Sequence, residues 1–178
     1  SMCDSGATRR SAIAVLRKNI DRFFFIFLPK KVICFAYYTQ SDSKIGILGP
    51  TVIHPDGRLQ WAKKYAKESS VIKEIDDIIG CCFLMKKEVI DKIGFFDEKF
   101  SPAYGEESDF CFRASKKGFK LMYVGKTKIM HYGGVTTKKV FNEKVWFFKK
   151  RHAIRLEWLN FGAFKIFKYS LIHLGSAV

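Results

Sequence analysis

At 178 residues the chain is long enough for one domain with a sizeable core. A hydrophobic fraction of 48% and an aromatic fraction of 16% exclude a disordered or fibrous protein. Thirty-two Lys and Arg against 17 Asp and Glu give a net charge of +15, which favours polyanions, anionic lipid or phosphate-bearing substrates without choosing among them.

In chain order, Ser1–Gly6 lacks the apolar stretch of a secretion signal. Residues 9–22 are basic and weakly helical. Phe23–Leu28 reads as a buried strand ended by Pro29, and residues 30–40 as a helix. Lys30 and Lys31 divide the longest apolar runs, so neither reads as a membrane span. Lys44–Pro50 reads as a short strand closed by a Gly-Pro turn, with Thr51–His54 extended beyond it and Pro55-Asp56-Gly57-Arg58 a tight turn. Residues 59–78 read as a variable, partly helical connector.

Ile78–Met85 is expected to be a second buried strand, with Cys81 and Cys82 on opposite faces. Lys86–Ile93 carries Val89, Ile90 and Ile93 at helical spacing and is stopped by Gly94. Glu106–Lys117 is the next helix, stopped by Gly118; Leu121–Val124 and Lys128–Tyr132 are two strands. Strands alternating with helices predict an α/β layered fold. The five Cys are an odd number without zinc-type spacing, as expected of reduced thiols in a cytoplasmic protein.

From Lys138 to Leu174 the chain is basic, aromatic and helix-like. Trp and Phe interleaved with Lys and Arg suit a helix lying in a membrane interface. The same pattern suits packing on the domain, or a single-stranded nucleic-acid surface, although no nucleic-acid motif supports the last.

The densest chemistry lies in Gly105-Glu106-Glu107-Ser108-Asp109. Three carboxylates within four positions at a helix start gain from the helix dipole but repel one another, so at least one is expected to hold a raised pKa. That property suits a general base or a metal-linked acid site; an acidic helix start with one useful cap is the plainer alternative. Arg113, at i+4 from Asp109, is placed to pair with it.

Ile45–Pro50, Pro55–Arg58, Gly80–Val89, Ile93–Phe100, Gly105–Arg113, Gly118-Phe119 and His131 follow one another in an order that resembles the carboxy-terminal half of the catalytic domain of family 2 glycosyltransferases, and among them the rhamnosyltransferase-like members of surface-polysaccharide synthesis. The resemblance spans about residues 43–134. It implies a partial GT-A fold, a three-layer α/β domain, over residues 31–137, with an unassigned segment 1–30 before it and a basic helical tail 138–178 after it. It also implies a nucleotide-sugar donor, a glycan or lipid-linked acceptor, a divalent metal (Mn or Mg) and an inverting transfer at the cytoplasmic face of the membrane.

By the same resemblance Glu107 is the base, Asp109 assists it, and Glu106 is the less favoured base. Gly80, Cys81, Asp97 and Arg113 line the substrate site, and His131 is a metal ligand. For Asp97, turn stabilisation is the competing expectation. The Asp-x-Asp motif of the donor half does not precede Ile45, so the resemblance implies the acceptor half alone. Such a half would expose a sheet edge and call for a partner chain or a second copy. A non-catalytic relic, or a module binding acceptor, partner or anionic membrane, is the alternative.

Overall fold

The computed structural model describes residues 23–26, 42–60, 72–141 and 144–160. The predicted helix over 30–40, residues 61–71 of the connector read over 59–78, and the tail beyond Asn160 lie outside the described residues. The strands are β1 (Phe23–Ile26), β2 (Ile45–Ile53), β3 (Ile72–Ile75), β4 (Phe83–Lys86) and β5 (Lys120–Met130). The helices are α1 (Lys87–Ile93), α2 (Glu106–Lys116), α3 (Val135–Phe141) and α4 (Lys144–Asn160), with a 3-10 turn at Glu98–Phe100.

The strands form one mixed sheet in the order β1-β4-β2-β5-β3. β2 and β5 pair in parallel at its centre, and the other pairings are antiparallel. The parallel crossover from β2 to β5 runs through β3, β4, α1 and α2. Alternation along the central strands sends side chains to both faces, and both are buried. Ile47, Phe83, Met85, Leu121 and Tyr123 meet Val89 of α1 and Phe110, Cys111 and Ala114 of α2 in the main core. Ile45, Leu48, Leu84 and Val124 form a smaller cluster on the other face. Burial on both faces explains why β2 reads as a continuous apolar run.

Three boundaries differ from expectation. The Lys44–Pro50 strand does not end at Pro50: β2 continues to Ile53. Proline is tolerated inside this central strand because β4 pairing stops at Leu48 and the register against β5 shifts between Pro50 and Thr51. The buried Thr51 hydroxyl donates to the Gly125 carbonyl (2.9 Å) and lies 2.5 Å from the Tyr123 hydroxyl, pinning the irregularity. The two strands expected after Gly118 are the single β5, running through that same irregularity.

The strand expected over Ile78–Met85 begins only at Phe83, and residues 76–82 turn instead. Asp77 enforces the turn: one carboxylate oxygen accepts from the Ile78 N–H (2.8 Å) and the other from the Ser108 hydroxyl (3.0 Å). Cys81 and Cys82 therefore lie in a turn rather than on opposite faces of a strand. β3, inside the expected connector, escaped notice because its Ile-Lys-Glu-Ile has two adjacent exposed charged residues, which break apolar alternation in an edge strand.

Candidate active site

The site is assembled at the amino end of α2. Gly105 caps that helix at φ +97°, where a Cβ would meet the Phe100 ring at 3.2 Å, so conformation and space both select glycine. Tyr104 before it also has positive φ (77°), an uncommon state for a large residue. This backbone is held from α4. His152, buried to 1% exposure, donates from Nδ1 to the Ala103 and Tyr104 carbonyls, both at 2.8 Å. Its Nε2 accepts from Arg151, which also donates to the Ser101 carbonyl (2.9 Å). Lys149 lies 4.7 Å over the Tyr104 ring.

The loop so held delivers Glu106 and Glu107 at the first turn of α2. Oε2 of each is buried and has no hydrogen-bond partner among the described residues. Burial first, and the negative charge of Glu107 second, push the Glu106 carboxyl up to about 7. The expected raised carboxyl is therefore present, on Glu106. Glu106 also borders an open depression of about 460 Å³ with Phe96, Asp97, Glu98, Phe100, Ser101 and Pro102. Glu107 turns toward residues 77–81: a Cβ on Gly80 would lie 3.2 Å from its carboxyl carbon. A side chain at Gly80 would thus crowd that carboxylate and make it give way by a few tenths of an ångström.

Cys81 is half-buried beside Cys82, and burial pushes its thiol up to about 12, so it is no thiolate nucleophile at neutral pH. Asp77, unremarked in the sequence, joins the group. Burial raises its pKa and the Glu107 charge adds to the effect, while the Ser108 and Ile78 hydrogen bonds oppose it. The adjacent Asp76-Asp77 pair was the available signal, lost in a segment read as connector.

Asp109 does not face this group. It is 2% exposed, accepts from Arg113 Nε at 2.7 Å and from the Asn160 amide at 3.2 Å. The expected i+4 pair is present, but the rest of the Arg113 guanidinium donates to the Ile93 carbonyl (2.6 Å) and the Phe95 carbonyl (2.9 Å). Arg113 thereby ties the end of α1 to α2. Asp97 caps the 3-10 turn through the Lys99 N–H (2.9 Å) and pairs with Arg155 of α4, which holds its pKa below the ordinary carboxylate range. A cleft of about 320 Å³ lies among Asp97, Asp109, Arg113, Lys116 and Asn160.

His131 stands just past the end of β5, and its Nδ1 lies 3.1 Å from the Gln60 amide oxygen. Among the described residues no three His, Cys, Asp or Glu side chains converge as a metal site. The donor set around His131 does not fit a divalent ion as it stands, and no chemical step is assigned to one.

No protein-family model matches the chain. A galactofuranosyl glycosyltransferase of Leishmania donovani is 24% identical over 92 residues, which are 47% of this chain and 20% of the relative. The chain thus matches about a fifth of that relative's length. Among solved structures, GalNAc-T7 with UDP, GalNAc and Mn2+ superposes at a TM-score of 0.48 and 15% identity, covering 71% of this chain and 30% of its own. Likeness at that level is too loose to carry a functional assignment.

Proposed function

We propose that this chain is the acceptor-side part of an inverting, family 2-like glycosyltransferase of GT-A architecture, acting on a nucleotide-sugar donor and a glycan or lipid-linked acceptor. The observation that carries the reading is the Glu106–Glu107 pair. Of these two adjacent carboxyls at a helix start, each with a buried oxygen unpartnered among the described residues, Glu106 borders an open depression and Glu107 faces the turn at Gly80. The glycosyltransferase relative and the order of motifs support a glycosyl-transfer reading of that pair.

In this reading Glu107 accepts the proton of the acceptor hydroxyl as that oxygen attacks the anomeric carbon and the nucleoside diphosphate leaves. Glu106 keeps its own proton near neutrality because burial first, and the Glu107 charge second, oppose its loss. Asp77 lies in the neighbouring turn, close enough for the Glu107 charge to add to its raised pKa. Asp109 and Arg113 position the helix rather than touch substrate, and Asp97 does the same for the loop.

Incubating the chain with UDP- and dTDP-sugars and oligosaccharide acceptors, with the remaining part of such an enzyme supplied where needed, tests this. Glu107→Gln is expected to lower transfer roughly 10²–10⁴-fold with the fold intact. Unchanged turnover in Glu107→Gln would exclude Glu107 as the base.

A further inference from the structure

Helix α4 has two apolar faces. The inward face carries His152, Val145, Phe148 and Leu156. It is pinned by Arg155 to Asp97, by Arg151 to the Ser101 carbonyl and by the Asn160 amide to Asp109. Those bonds fix the rotation of the helix about its axis. Phe147, Ile154 and Trp158, at spacings of seven and four, must then share the opposite face. They are 54%, 48% and 71% exposed, and Trp146, on the flank of the helix about 100° round from Phe147, is 60% exposed.

This stripe is set in positive charge. Residues 138–160 hold seven Lys and Arg against two Glu. Beyond Asn160 the sequence again mixes Phe164, Ile166, Phe167 and Tyr169 with Lys165 and Lys168. Among the described residues no helix is long and apolar enough to cross a membrane.

We infer that the outward face of α4 docks on the surface of an anionic lipid bilayer, with Phe147, Ile154 and Trp158 entering the headgroup region and the exposed Lys139 and Lys144 meeting lipid phosphates. Aromatic and aliphatic side chains in one stripe, within a segment of net positive charge, match the chemistry of that interface on both counts. A nucleic acid would use the cations and aromatic rings but would leave Ile154 in water. Docking would hold the α2 amino end at a fixed distance from the bilayer, because the opposite face of the same helix grips the 97–105 loop.

The test is co-sedimentation of the full chain with phosphatidylcholine vesicles and with vesicles containing 30% phosphatidylglycerol, about the anionic content that such a surface needs to attract a basic helix. Binding is expected on the anionic vesicles and to weaken strongly in high salt. Lys139→Gln with Lys144→Gln should weaken it roughly tenfold or more, and Phe147→Ser, Ile154→Ser and Trp158→Ser together should abolish it. All five side chains are exposed, so matching thermal melts are expected. In a Trp61→Phe, Trp146→Phe background, the emission of Trp158 should shift to the blue on vesicles. Binding that survives the triple substitution overturns the inference and moves the contact elsewhere, such as residues 161–178. Failure of the parent chain to bind anionic vesicles also overturns it. Self-association or retention on a single-stranded oligonucleotide would then name the occupant of the face.

Discussion

Glu106 carries a prediction that is independent of any substrate. The folded chain keeps its carboxyl protonated up to about pH 7, whereas an unfolded chain loses that proton near the ordinary 4.5. Between those values the native state binds more protons than the unfolded one, so stability falls as pH rises. Asp77, also raised, adds to the same trend. Thermal melts of Glu106→Gln should match the parent below pH 4.5 and exceed it increasingly up to pH 7.5; parallel curves would refute the shift. Gly80 gives a second residue-scale expectation. Gly80→Ala places a methyl 3.2 Å from the Glu107 carboxyl carbon, the far end of a flexible side chain. Its cost in stability should stay within about 1 kcal/mol, while transfer falls at least severalfold because Glu107 must move. An equally active Gly80→Ala would mean that the carboxylate position does not matter. Both glutamates were visible in the sequence because adjacent acids at a helix start repel one another in any fold. Asp77 was not, because its relation to Ser108 spans 31 positions and exists only once the 76–82 turn is made.

The decisive element is α2, and it is held from two sides. Arg113 joins it to the end of α1 while satisfying Asp109, one of the few buried charges. Arg113→Met would leave that carboxylate without its cation and should cost about 3–5 kcal/mol in urea denaturation. A loss under about 1 kcal/mol would show the pair to be an ordinary surface contact. From the other side α4 holds the loop before α2 through His152, which bonds two successive carbonyls. His152→Ala should quicken amide exchange at residues 103–107 while leaving β2 and β5 protected. Exchange unchanged at those amides would mean that Gly105 and the 3-10 turn suffice to hold the loop. The Arg113–Asp109 pair was legible from i+4 spacing alone. The grip of His152, 48 and 49 positions from its partners, was not. Of the readings of the tail, packing on the domain falls on the inward face of α4, and the proposed docking at a membrane would use the opposite face.

Over the whole molecule, a charge of +15 on 178 residues opposes compaction. Raising salt from 20 to 200 mM should raise the melting temperature by roughly a few degrees as that repulsion is screened. A fall would mean that the ion pairs around α4 outweigh it. The sequence by itself determined the α/β class, the helices α1 and α2, the turn chemistry near Pro55 and the acidic helix start. Each of these is written in periodicity or short-range pairing within a few residues. Only the tertiary structure decided that Pro50 lies inside a central strand, that the edge strand β3 exists and that Asp77 belongs with Glu107. It likewise joined Asp109 to both Arg113 and Asn160 and set His131 beside Gln60. The reason is the same in each case. These outcomes depend on which neighbour satisfies a backbone or carboxylate group across long separations, and that is set by the order in which strands and helices pack.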